Sequence, residues 1–215
     1  MMPFTPARAH VSPNRRAAIA LLAVAPFAGG CANILPAKPE RPLVFDFGPM
    51  LVPAGGATAL GLPLALGEIE VTQALDSSAM LYRLRPEAQR LRPFASARWS
   101  APPAELVRQR LRVWLAQGRP VVNIGDTLVV HLLRIELEEF SQMFETERVS
   151  TGQLVLGVSL TRRTPSGEVP VAQRQFAVSR SAPTADPTGG AIALAQAVDA
   201  VAAELAGWLD AVMVR

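Results

Sequence analysis

Few residues in this sequence could form a catalytic or metal centre. The 215 residues include a single cysteine, Cys31, and two histidines, His10 and His131. One cysteine cannot form an intramolecular disulfide bond, and two separated histidines supply too few donors for a transition-metal site. His131 lies in an apolar stretch, so we expect it to be a structural histidine and not a catalytic base. The sequence therefore predicts no metal site.

The motifs of several enzyme classes are also missing. Gly189-Gly190 precedes the last predicted helix without a P-loop lysine, and no G-x-S-x-G elbow occurs. The densest acidic cluster runs from Glu136 to Glu147. Glu136 and Glu138 share a strand face, which could pair two carboxylates, but we interpret them as a solvated strand end. The sequence predicts a protein that is not an enzyme and uses no cofactor.

Positive charge exceeds negative charge only because of the N-terminal residues. Lys and Arg number 21 against 18 Asp and Glu, and residues 1–30 hold three arginines (Arg8, Arg15 and Arg16) and no acid. The remainder is balanced, so it exerts no long-range attraction on nucleic-acid phosphates. The chain is 50% hydrophobic and 18% charged, which is typical of a folded body and not of a disordered chain.

Residues 1–30 read as a lipoprotein signal peptide. The three arginines form a positive n-region, and 17–27 supply about 11 mostly apolar residues, the usual length of an h-region. The stretch FAGGC, ending at Cys31, resembles a bacterial lipobox. An ordinary signal peptide with an incidental cysteine remains the alternative. A transmembrane helix is disfavoured because the run is shorter than ~20 residues and contains Pro26.

The lipobox resemblance implies cleavage before Cys31 and attachment of acyl chains such as palmitate to it. Residues 31–42, which include three prolines, are then a lipidated tether between membrane and fold. Ala32 follows the cysteine, at the position where an aspartate signals inner-membrane retention in enterobacterial lipoproteins. The resemblance therefore implies an outer-membrane protein that faces the periplasm.

Alternation of apolar and polar residues predicts several strands, and 3.6-residue periodicity predicts two helices. We expect strands at 43–47, 64–72, 78–84, 90–94, 127–139, 152–162 and 169–179, loops at 52–63 and 181–190, and helices at 100–116 and 191–212. Ser100 is the expected N-cap of the first helix, and Gly67 marks a bulge or a close backbone approach in the second strand. This order predicts a single-domain α/β (α+β) fold, a mixed β-sheet with helices packed on it.

Four segments and the last helix together resemble one protein family. They are FDFGP (45–49), LGEIEV (66–71), AMLYRL (79–84) and RWSAPPAEL (98–106), with the apolar C-terminal helix that contains Trp208. This set resembles the ABC-type transport auxiliary lipoproteins, the group that includes paraquat-inducible protein C. The resemblance covers residues 43–212, which we take as the domain of that family.

The resemblance implies a non-enzymatic periplasmic subunit. Family members work beside an ABC permease, its ATPase and a mammalian-cell-entry (MCE) domain protein, and together these move lipids between the inner and outer membranes. The implied fold is similar to the anticodon-binding-like or TolB-N-terminal-like arrangement, and some members form homo-oligomeric rings. A lipoprotein assembly factor or plug for an outer-membrane β-barrel is the alternative function. Neighbouring genes would discriminate between the two.

A partner surface is expected where the longest strand turns polar after Leu133. Phe140, Met143 and Phe144 follow that point, and exposed apolar residues beside a strand edge can bind a partner by hydrophobic contact or strand pairing. The alternative is that these three residues close the end of the sheet. We expect the tryptophans, Trp99, Trp114 and Trp208, to anchor the core.

Overall fold

The computed structural model describes residues 41–49, 61–125 and 129–213. The predicted signal peptide, the lipidation site Cys31, residues 32–40 of the tether and most of the predicted loop 52–63 lie outside these residues.

The described residues form one mixed sheet of eight strands and two α-helices that pack on it. This confirms the predicted single-domain α+β fold. A 3-10 turn, Arg85–Glu87, follows the third strand. In chain order the elements are β1 (Leu43–Phe45), β2 (Leu64–Val71), β3 (Ala79–Leu84), β4 (Arg92–Trp99), α1 (Pro103–Leu115), β5 (Val121–Asn123), β6 (His131–Thr146), β7 (Val149–Thr164), β8 (Gly167–Ser181) and α2 (Pro187–Met213).

Strand β6 is the centre of the sheet. Its first half pairs in parallel with β2 and its second half in parallel with β3, while β7 runs antiparallel along its other side. Next to β3 lie β4 and then β1, next to β2 lies β5, and next to β7 lies β8. The β6–β7 turn is therefore at one end of the sheet and the β7–β8 turn at the other. We call the first end, residues 144–150 with 82–94 beside them, the sheet tip.

The two helices and one face of the sheet form the core. In α1, Val107, Leu111 and Leu115 are buried, as their spacing along one helix face predicts. α2 is long and apolar enough by composition to cross a membrane, but its apolar stripe packs against β7 and β8 as in a core helix. That stripe consists of Leu194, Val198, Val201, Leu205 and Leu209. We call the other face of the sheet, which exposes Arg134, Glu136 and Glu138, the open face.

The central strand differs from the predicted strand 127–139 because it continues to Thr146. Glu138–Glu139 interrupts the two-residue alternation, and the structure accommodates the extra residue as an irregularity, a β-bulge, in the pairing with β7. The bulge moves the helix-facing positions from odd to even numbers, so Leu137 and then Phe140 face the core. The register shift in β2 between Leu66 and Ile69 confirms the bulge predicted at Gly67.

The second helix begins at Pro187, four residues before the predicted start at 191. The carboxylate of Asp186 accepts a hydrogen bond from the backbone N–H of Gly189 at 2.8 Å. Aspartate before the first turn and proline in it are both favourable, because the carboxylate pairs with a free N–H and proline has none to leave unpaired. The helix therefore starts earlier than predicted, and the loop before it is shorter than the predicted loop 181–190.

The first helix, in contrast, begins later than expected. Ser100 is not its N-cap: the helix starts at Pro103, and Pro102 occupies the cap position without a side-chain hydrogen bond. The backbone N–H of Ser100 instead donates to the carbonyl of Phe45 at 2.7 Å. The strand expected at 90–94 runs through Trp99 as β4, because pairing with β3 on one side and β1 on the other extends it.

Candidate functional site at the sheet tip

Two groups of three aromatic rings lie along the helix-facing side of the sheet. The first, which we call the buried trio, consists of Phe47, Trp99 and Phe140; Trp99 and Phe140 are fully buried, and Phe47 is half-buried against them. Its ring centroids are 5.6 Å apart between Phe47 and Trp99, 5.5 Å between Trp99 and Phe140, and 6.0 Å between Phe47 and Phe140. Such separations are typical of favourable edge and tilted aromatic pairs. The trio fixes β1 and β4 to the central strand.

Phe140 is not at an exposed docking edge, so that part of the sequence interpretation is wrong. Its side chain is 1% exposed, and Trp99 beside it is also 1% exposed. Moreover, β7 pairs with β6 at Phe140 and β3 pairs with β6 from Gln142 onward, so β6 is an interior strand and not a sheet edge. The prediction failed because it ended the strand at the acidic pair that forms the bulge.

The second group, which we call the tip trio, consists of Tyr82, Phe94 and Phe144, and all three rings are half-buried. The centroids of Tyr82 and Phe94 are 4.5 Å apart, those of Tyr82 and Phe144 5.8 Å, and those of Phe94 and Phe144 6.3 Å. A surface depression of about 310 Å³ lies beside Phe144 and is also lined by Leu84 and Pro86. The sheet tip thus presents apolar surface to solvent.

Gln142 marks the boundary between the two trios. It is fully buried between Phe140 and Phe144 on β6, and its amide Nε2 donates to Ser150 Oγ at 2.8 Å and to the carbonyl of Asp186 at 3.1 Å. The first turn of α2 packs here so closely that a Cβ on Gly190 would overlap Gln142 Oε1. The helix therefore begins beside Gln142.

Charged side chains surround the sheet tip. Arg85 pairs with Glu145, and Arg90 and Arg92 both pair with Glu87. The hydrogen bond from Arg90 is the main cause of the lowered pKa of Glu87. Two more exposed charges, those of Glu147 and Arg148, lie in the β6–β7 turn.

Met143 lies on the open face, away from Phe140 and Phe144. It is half-buried, and its neighbour across the sheet, Arg83, forms an ion pair with Glu139 at 2.9 Å. The structure therefore separates the three residues of the predicted partner surface: Phe140 is in the core, Phe144 belongs to the tip trio, and Met143 faces the other side.

Three further residues are candidates for chemistry in the sequence: Glu136, Glu138 and His131. Glu136 and Glu138 are exposed, as expected for a solvated strand, and Glu138 accepts a hydrogen bond from Gln175 at 2.6 Å. His131 is half-buried on the helix-facing side, where burial, Arg162 and Arg119 lower its pKa. Among the described residues, no group of three His, Cys, Asp or Glu side chains is arranged to hold a metal ion.

The tryptophans make core contacts, as predicted. Trp208 packs edge-on against Phe176, with centroids 5.9 Å apart. Trp114 donates from Nε1 to Asp199 at 2.9 Å, and Arg110 binds the same carboxylate at 2.6 and 2.7 Å. Burial raises the pKa of Asp199, but the hydrogen bonds from Arg110 and Trp114 outweigh it and hold the pKa below its usual value. This cluster joins α1 to α2.

Comparison with known proteins gives one family match and several similar folds. A family model described as the ABC-type transport auxiliary lipoprotein component matches residues 48–206. The crystal structure of protein XCC0632 from Xanthomonas campestris has a TM-score of 0.65 at 21% identity, over 77% of this chain and 93% of that chain. Another crystal structure, of an uncharacterized protein, has a TM-score of 0.60 at 14% identity, over 79% of this chain and 99% of that chain. No curated protein matches significantly.

Proposed function

We propose a function from the family to which this chain belongs, the ABC-type transport auxiliary lipoproteins. The protein is a non-enzymatic auxiliary subunit of an ABC/MCE-type intermembrane lipid transport system. The observation that supports this most is the family match, which extends over 48–206 and so includes most of the fold. The direct partner is an MCE-domain protein, through which the subunit is linked to the permease and its ATPase. The subunit is anchored in the outer membrane and faces the periplasm.

The anchor is the acylated Cys31. Acyl chains contribute ~0.8 kcal/mol per buried CH₂, so two or more chains make release from the membrane negligible. We expect Cys31→Ser to abolish labelling by a fatty-acid analogue and to leave the protein either uncleaved or in the soluble periplasmic fraction. A variant that still carries the label and fractionates with the outer membrane would contradict the lipidation site.

We propose that the MCE protein contacts the open face near Met143. This side chain is half-buried on a face that carries exposed charged residues, and it lies next to the ion pair of Arg83 and Glu139. Phe140 contributes only through the fold, because it is buried.

Co-purification from detergent-solubilised envelopes tests both the partner and the surface. Wild-type protein should recover an MCE-domain protein, and Met143→Asp should reduce that recovery. The matched control is Ser159→Asp, on the same face, because Ser159 lies eight residues along β7 from Thr151, the pairing partner of Met143. At 3.3 Å per residue the two sites are about 26 Å apart. Recovery of a β-barrel protein alone would favour the assembly-factor alternative, and equal loss in both variants would contradict the surface.

Self-association into a ring is a further part of the proposal. Within the described sheet, β8 pairs only with β7, so the backbone groups along its outer edge are free to bond to a neighbouring copy. Native mass spectrometry in detergent tests this, and a monomer at all concentrations would contradict it.

A further inference from the structure

We propose that the sheet tip lies against the surface of the bilayer to which the protein is anchored, so that Phe144 and Val149 contact lipid. The inference rests on the proposed lipid anchor, and it adds the orientation of the domain and the residues that touch the membrane.

The direction of β1 places the incoming chain on the tip side. Leu43, Val44 and Phe45 pair in parallel with residues 97–99 of β4, and β4 starts at Arg92 beside the sheet tip and runs away from it. Arg41 and Pro42 therefore enter the domain from the end that carries the β6–β7 turn. The proposed lipid anchor, Cys31, precedes this entry point in the sequence.

The length of the tether favours the same orientation. From Cys31 to Leu43 the chain has 12 residues, which span about 40 Å when fully extended. Leu43 lies at the level of Phe140, nine residues from the far end of β6 at His131, and that distance is about 30 Å. With the far end against the membrane, the tether would have to reverse direction and spend most of its length along the domain. With the sheet tip against the membrane, no reversal is needed.

The side chains of the sheet tip suit an interface between hydrocarbon and headgroups. Val149 is 54% exposed at the β6–β7 turn, and the tip trio with Leu84 and Pro86 forms apolar surface behind it. Tyrosine and other aromatic rings favour this zone because they combine an apolar body with a polar end or edge. Exposed aliphatic residues also occur at the far end, such as Leu62 and Val130, so exposure alone does not select an end. The tip trio and the direction of β1 select the sheet tip as the end that faces the membrane.

Arginines at the sheet tip provide attraction to anionic lipids. The tip carries five arginines and three glutamates, and Arg41 is exposed where the chain enters β1. A positive excess near the surface favours contact with anionic headgroups, and arginine stems can lie along apolar surface while the guanidinium reaches the headgroups. The five arginines are Arg83, Arg85, Arg90, Arg92 and Arg148, of which Arg83 is paired with Glu139 outside the tip, and the three glutamates are Glu87, Glu145 and Glu147.

Two single-cysteine variants of the full lipidated protein test the orientation. Acylation occupies the thiol of Cys31, so a cysteine introduced by Val149→Cys or by Ser166→Cys is the only reactive one. Both positions are exposed and lie at opposite ends of β7, which at 16 residues is about 50 Å long. Each variant is labelled with an environment-sensitive fluorophore and reconstituted into vesicles of phosphatidylcholine and phosphatidylglycerol that contain nitroxide-labelled lipid.

We expect the label at residue 149 to be quenched and shifted to shorter wavelength, and the label at residue 166 to be unaffected. Adding Phe144→Asp should weaken the quenching at residue 149, whereas Ser159→Asp should not. Quenching at residue 166 instead, or at neither position, would overturn the orientation. Flotation tests the anchor separately: labelled protein that does not float with vesicles contradicts the lipid anchor and this orientation together.

Discussion

The buried trio and the tip trio are both clusters of three aromatic rings, but they differ in how far the rest of the fold shields them from solvent. Phe140 and Phe144 are identical residues on the same face of β6, four positions apart, and each contacts two other aromatic rings. Phe140 is 1% exposed, whereas Phe144 is half-buried. The difference arises because α2 begins beside Gln142, between them. The start of a helix, set by Asp186, Pro187 and Gly190, thus decides which ring belongs to the core.

The largest effect should come from removing a ring of the buried trio. Phe140→Ala deletes a fully buried aromatic side chain and leaves a cavity, so we expect it to lower the free energy of unfolding by about 3–5 kcal/mol. Chemical denaturation followed by tryptophan fluorescence measures this, because Trp99 lies against the deleted ring. A loss below about 0.5 kcal/mol, as found for surface residues, would mean that Phe140 is exposed after all.

Moving the boundary between the trios should have the next largest effect. The methyl group of Gly190→Ala would overlap Gln142 Oε1, and the amide of Gln142 is held by Ser150 and Asp186. Because the side chain cannot move without losing those bonds, we expect a destabilisation of about 1–3 kcal/mol.

Gly207→Ala is the matched control for Gly190→Ala. It lies in the same helix, and a Cβ there would meet no atom within 4 Å. Replacing a helical glycine by alanine in open space stabilises by about 0.5–1 kcal/mol. If both substitutions stabilise the protein, the close packing of α2 on Gln142 is contradicted.

Removing a ring of the tip trio should have a smaller effect. Phe144→Ala deletes two aromatic contacts, each worth about 0.5–1.5 kcal/mol when fully formed, but the ring is already half in water. We expect a loss of about 1 kcal/mol in the same denaturation experiment. A loss equal to that of Phe140→Ala would show that the two trios are equally buried and would remove the contrast.

Much of the fold follows from local sequence patterns. Alternation predicted β7 and β8, and 3.6-residue spacing predicted the buried faces of both helices, because these signals lie within a few residues of each other. The tip trio could not be predicted in this way. Tyr82, Phe94 and Phe144 come from three strands, and their contact depends on the register of β3 with β4 and with β6.

The boundary of the core depends on two local features, the bulge in β6 and the start of α2, and the periodicity of apolar residues predicted neither. The pair Glu138–Glu139 indicates a strand end as well as a bulge, and only the pairing with β7 distinguishes the two. The start of α2 did have a signal, Asp186 followed by Pro187, which is typical of a helix N-terminus. That signal would have placed the helix start before Gly189-Gly190.

The smallest predicted effect concerns the charge of Asp186 at this helix start. The amide of Gly189 and the hydroxyl of Thr184 donate to the carboxylate and hold its pKa below the usual value. A lowered pKa in the folded state stabilises the protein above the unfolded pKa of about 3.9, and the contribution disappears as the pH falls through the folded value. Asp186→Asn keeps a capping oxygen but loses the charge, so we expect it to cost about 0.5 kcal/mol at neutral pH.

The pH dependence separates the charge of Asp186 from its role in packing. Thermal unfolding of wild type and Asp186→Asn, compared from pH 7 downward, should give curves that differ at pH 7, begin to converge as the pH falls below about 3.9, and meet below the lowered pKa of the folded carboxylate. A difference that persists at low pH would instead mean that the substitution disturbs the contact between the Asp186 carbonyl and Gln142. The start of α2 would then depend on packing against β6, and the boundary between the two trios would be set by the sheet and not by the helix.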